Sequence, residues 1–284
     1  MRKILSALAV LAALIWTQAS FADYKAPRAP DGKKPDFNGI WQALNEAHWD
    51  VERHMARSSV EEREGPRGPV PSAKTVHLGA VVSVPGSMGV VEGGTIPYTE
   101  EALAKRDENR ANYLERDPEV KCFLPGIPRS TYMPYPFQIF QSDNEVFIAH
   151  EYAAAVRNIY ANDPGEAPID SWMGQSVLSW DGDTMVLTTT GQVPDTWLDR
   201  AGNHHSELLK VVERFTLTGP DHIHYEATLT DPQVYTKPWT MSMPLYRRLD
   251  RDTLMDFKCV EFVEELMYGK WRRHPFEGAT GVER

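Results

Sequence analysis

The sequence predicts one mainly antiparallel β domain, a barrel or strongly curved sheet first and a β-sandwich second, with one or two short surface helices. Three observations predict it. From Phe137 onward, short apolar and β-branched runs recur with turn residues between them. Asp181-Gly182 joins two such runs as a tight hairpin. No alternation of strand, long helix and strand appears that would build a parallel sheet.

Residues 1–22 read as a secretory signal, with a basic start (Arg2, Lys3), a short apolar run, and small residues at Ser20 and Ala22 before an expected cut. The apolar run is short for a membrane span, and no later segment is long and apolar enough to be one. Of the 30 Lys and Arg residues, two lie in that leader; 28 remain against 40 acids, a formal charge of −12. That balance argues against nucleic acid and against anionic membranes as partners. In an oxidising compartment, Cys122 and Cys259 read as one disulfide, worth about 4–5 kcal/mol by loop closure.

The elements follow in order. Residues 23–98 form a lead-in: an extended Pro/Lys/Asp stretch, a first strand at FNGIWQAL, and a Gly/Pro-rich region over 58–98. That region reads as a cover loop or an insertion; it lacks the Gly-Lys-Ser/Thr of a phosphate loop. The main β domain spans 99–284, and 23–284 reads as one domain. Thr99 caps a surface helix reaching Glu115, stopped by Asp117-Pro118. Prolines then delay the next strand to Phe137. Strands are expected at 137–141, 145–152, 155–161, 176–180, 184–190, 207–217, 222–230, 241–248 and 254–262, with a short helix over EFVEELMYGKW (261–271).

The densest chemistry lies in PDTWLDRAGNHHSE, residues 194–207. In the acid–base reading His205 shuttles protons, Asp199 or Glu207 orients it, and Asp195 is a second acid. In the structural reading, the Asp and Asn residues form turns and Trp197 pins the loop. Arg129, on a proline-stiffened loop, suits an anionic group, and Trp197, Tyr132, Tyr135 and Trp172 suit the walls of an apolar pocket. No spacing defines a metal site, and His150-Glu151 lacks the second histidine of a zinc-protease helix. No organic cofactor is expected, and a divalent metal stays open. The strand at 222–230 alternates His222, His224 and Glu226 against Ile223, Tyr225, Ala227 and Leu229. A turn at Gly219-Pro220 sets Glu213 opposite Glu226 on the polar face. Glu151 and Arg157 read as an ordinary cross-strand ion pair.

Three motifs carry a resemblance: CFLPGIPR (122–129), WDGDTMV (180–186) and TWLDRAGNHHSELLKVVER (196–214). In the patterns CxxPGxPR, WxGDTxV and TWxDxxGxxHSxxLxVVER, the chain resembles a family of uncharacterised secreted or periplasmic bacterial proteins. The resemblance implies an exported protein that is one whole domain, and favours His205-Ser206 over His204. A looser similarity, through Gly39-Ile40-Trp41 and the strand rhythm, is to lipocalins, where such a Trp closes the base of a barrel.

Two functions are expected to compete. One is a periplasmic or secreted enzyme of hydrolase, lyase or isomerase type, acting on a small apolar or aromatic molecule through His205 and carboxylates. The other is a non-catalytic, lipocalin-like carrier of a small hydrophobic ligand.

Overall fold

Alternation at period two builds the sheet. Along Lys210–Gly219 and His222–Thr230 every second side chain is buried, so Val211, Phe215, Tyr225 and Leu229 enter the core while their neighbours face out. The structure is a computed structural model describing residues 24–58, 60–63, 67–68, 70–73, 83–257 and 259–262. The helix expected over 261–271 falls almost wholly outside them.

Nine strands close a barrel: β1 (Gly39–Ala43), β2 (Phe137–Gln141), β3 (Val146–His150), β4 (Val156–Tyr160), β5 (Gln175–Asp181), β6 (Thr184–Thr190), β7 (Lys210–Gly219), β8 (His222–Thr230) and β9 (Trp239–Arg247). Their order around the barrel is β1-β9-β8-β7-β6-β5-β4-β3-β2, with β1 antiparallel to both β9 and β2. An odd number of strands cannot alternate direction all the way round a closed ring. One neighbouring pair must run parallel, and here it is β4–β5, held at only two register positions, Ile159↔Ser176 and Tyr160↔Val177. A parallel pair needs a crossover; residues 161–174 supply it along the outside.

The strand expected at 254–262 is absent among the described residues of that segment. β1 already occupies the edges of β9 and β2, so the barrel offers no edge to extend. The segment instead leads to the Cys122–Cys259 disulfide (Cα–Cα 5.7 Å) and seats Phe257 against Tyr135 and Tyr152. The expected hairpin forms with its turn one residue later: Asp181 pairs with Thr184, so Gly182-Asp183 makes the turn.

Trp41 closes the lower end. It is fully buried, donates Nε1–H to the Phe37 carbonyl (3.0 Å), and lies under the Arg247 guanidinium at 4.2 Å. Arg247 passes so close to Gly39 that a Cβ there would stand 2.1 Å from Nη1, and Gly39 also holds φ +137. A glycine is required at that position.

The upper end is capped. Helix α1 (Glu100–Ala111) starts where Thr99 accepts the Ala102 N–H, and it is followed by the short turn α2 (Tyr113–Arg116). Helix α3 (Arg129–Tyr132), wholly buried, plugs the barrel mouth, and the loop 194–206 lies across it, joined where Tyr132 Oη donates to the Leu198 carbonyl (2.7 Å). Residues Val90–Glu92 continue the line of β1 along β9 through bonds to Thr240 and Ser242.

Candidate functional site

The loop 194–206 is a cover, buried from Thr196 to Ser206. Asp199 organises it. Its two oxygens accept four N–H donors, from Val51, Ala201, Asn203 and the Asn203 side chain. Burial, then the nearby Asp50, push its carboxyl up to about 7, while Asn203 and Val51 pull it down. Gly202, at φ +86, presses on α1: a Cβ there would stand 2.7 Å from the Arg106 carbonyl and the Arg110 nitrogen. His204 meets the Ala102 carbonyl through Nε2 (3.0 Å) and stacks on Tyr98.

His205 is 1 % exposed and both ring nitrogens are engaged, Nε2 with Thr196 Oγ1 (2.6 Å) and Nδ1 with the Ser206 carbonyl (2.8 Å). Burial pushes its pKa down to about 4. Its hydrogen-bond partners are thus a hydroxyl and a carbonyl. Asp199 serves the loop backbone, and Asp195 and Glu207 lie exposed on the surface. Ser206 is tied to Asp231 through its N–H (2.6 Å) and its hydroxyl (2.9 Å). The four expected acid–base residues are not brought into one cluster.

Arg129 is wholly buried and forks onto Asp117 (2.9 and 3.1 Å), beside Glu119, which Arg200 also holds at 2.7 Å. This network fixes α3 to the segment 117–121. Trp197 and Tyr132 are buried within the cover, and Tyr135 packs on Tyr152 and Phe257. Of the expected ligand contacts, Trp172 lines a cavity.

That cavity, about 390 Å³, lies outside the β4–β5 seam and is walled by Leu124, Val156, Tyr160, Ile169, Trp172 and Met173. Phe123 stacks on Trp172 (5.0 Å, 23°), and Ile169 is 79 % exposed. Ser171, Gly174 and Gln175 also line it, so the cavity is mixed. A larger bowl of about 540 Å³ at the lower end carries Asp31, Lys33, Lys34, Asp143 and Glu145. Its charges of both signs suit hydration better than an apolar ligand.

A second group was not legible as a site. Within the barrel, Arg157 bonds Ser176 (2.8 Å) and Thr189 (2.8 Å) and pairs with Glu213, which also accepts from Tyr225 (2.9 Å) and Thr131 (3.4 Å). All but Thr131 lie on barrel strands, and each is at least 98 % buried. The expected Glu151–Arg157 pair does not form: Glu151 binds Arg251 at 2.7 Å. Nor does Glu213 face Glu226. A register shift between Leu217 and Gly219 sets Glu213 opposite Ala227 and Arg214 opposite Glu226, and Glu213 faces inward with Val211 and Phe215.

Among the described residues no group of three or more His, Cys, Asp or Glu side chains is arranged to hold a metal, and no helix is long and apolar enough to cross a membrane. Comparisons with protein-family models, curated proteins and solved structures give no match.

Proposed function

We propose that this barrel is an exported carrier of a small apolar or aromatic molecule, held in the seam pocket against Trp172. The observation that carries the reading is the pocket itself: apolar side chains left open around a cavity of about 390 Å³. A cavity of that size falls within the range of small-molecule sites. The leader-like residues 1–22, the Cys122–Cys259 disulfide and the motif resemblance to secreted bacterial proteins support export. The proton-shuttle reading has less support, because both nitrogens of His205 are engaged with neutral partners in a buried loop.

The test is titration with N-phenyl-1-naphthylamine, a neutral aromatic probe that brightens in apolar surroundings. The intact chain saturates with it, and Trp172→Ala weakens binding about tenfold, as expected for about 1.4 kcal/mol of lost ring contact. Equal binding by both proteins would remove the seam pocket as the site.

A further inference from the structure

The barrel interior leaves polar atoms without partners on three of its elements. Arg157 has five N–H donors. Nε–H goes to Ser176, and Nη2 serves Thr189 and Glu213. Nη1, with two donors, has no hydrogen-bond partner. His150 lies on the neighbouring strand: Ile148 pairs with Arg157, so His150 is its diagonal neighbour on the same inward face. Neither imidazole nitrogen has a partner of normal hydrogen-bond geometry, although the Ser130 backbone acts on the ring. The Ser130 hydroxyl, on α3, is likewise unmet. Arg157 is 1 %, Ser130 3 % and His150 5 % exposed. Each unmet buried donor or acceptor keeps the full penalty of its desolvation. Three elements therefore carry buried polar atoms whose desolvation the protein offsets at most through the Ser130 backbone.

We propose that Arg157 Nη1, the His150 imidazole and Ser130 Oγ form an internal site for the carbonyl or hydroxyl oxygen of a small uncharged organic molecule. Charge selects the class. Glu213 already balances Arg157, so an anion would bring an uncompensated charge into the interior. Burial, then the Arg157 charge, hold His150 neutral, leaving one ring nitrogen to donate and the other to accept. The Phe137 ring, 5.6 Å from the imidazole, supplies an apolar wall. The site is independent of the seam pocket and stands without it.

The experiment follows the His150 imidazole ¹⁵N resonances while the whole chain is titrated with acetophenone, benzoate or toluene. Acetophenone is expected to shift them saturably, and benzoate and toluene are not. Ser130→Ala, and His150→Phe followed by titration calorimetry because its imidazole is gone, each weaken acetophenone about tenfold, while Trp172→Ala leaves this site unchanged. These variants leave the Arg157–Glu213 pair intact, and their thermal melts report whether they fold. Unmoved resonances, or benzoate or toluene binding as tightly as acetophenone, would overturn the proposal. So would unchanged affinity in the two folded variants, or a high-resolution structure in acetophenone with only water at these atoms. Loss of acetophenone shifts on Trp172→Ala would merge the site with the seam pocket and likewise overturn it.

Discussion

The cover loop and the barrel interior hold the same kinds of side chain satisfied to different degrees. In the loop, Asp199, His204, His205 and Ser206 lie close in sequence, and the structure gives each of them hydrogen bonds, with His204 Nδ1 the one atom of these four residues left unmet. In the interior, Ser130, His150, Arg157 and Glu213 are scattered over more than eighty positions, and three of them retain unmet atoms. A run of chemically able residues can be the fabric of a lid. A buried atom left without a partner calls for an explanation, and in the interior such atoms sit on three separate elements.

The comparison breaks first at the interior ion pair. Arg157→Ala or Glu213→Ala is expected to lose about 3–5 kcal/mol in urea unfolding, because each strands the other charge. Arg157→Met with Glu213→Leu recovers most of that loss, since no charge then remains buried. Non-recovery would show that the pair's neighbours depend on it more than its charges do.

Next is Asp199→Ala, which leaves four N–H donors without their acceptor and loosens the lid from residues 50–51. A loss of about 2–3 kcal/mol is expected by the same unfolding assay. A change under 0.5 kcal/mol would return Asp199 to the candidates for chemistry.

A smaller effect sharpens the contrast through pH. His205 sits at about 4 in the fold against an ordinary 6.5, so the unfolded chain binds the extra proton between those values. Its contribution is fully present above pH 6.5 and is lost as pH falls towards 4; His150 behaves alike down to about 3. Asp199 runs the other way: raised from 3.8 to about 7, it makes the fold hold a proton, and its contribution fades as pH rises through that window. His205→Gln is therefore expected to shallow the acid limb of stability between pH 6.5 and 4, read from urea midpoints at four pH values. An unchanged slope would mean that His205 is charged in the fold.

Much of the barrel was legible because period-two burial leaves its mark residue by residue, as in Val211 to Phe215 and Ile223 to Leu229. The disulfide was legible from compartment and count, and Gly39-Ile40-Trp41 marked the closing strand. The parallel seam was not, since it follows from strand parity once β1 has closed the ring. Glu213 was misplaced by a single residue: the irregularity between Leu217 and Gly219 gives it Ala227 as partner instead of Glu226, while its inward face was legible in the alternation that it shares with Val211 and Phe215. Arg157 and Glu213 meet across 56 positions, a distance at which residue spacing says nothing.

The most direct test sets the two regions side by side: N-phenyl-1-naphthylamine titrated into the intact chain, Trp172→Ala and His205→Gln under one condition. The account predicts about a tenfold loss of affinity for Trp172→Ala and less than a twofold change for His205→Gln, with both variants folded. Lost binding in His205→Gln with Trp172→Ala unaffected would contradict it, and would return the site to the loop from Asp195 to Glu207.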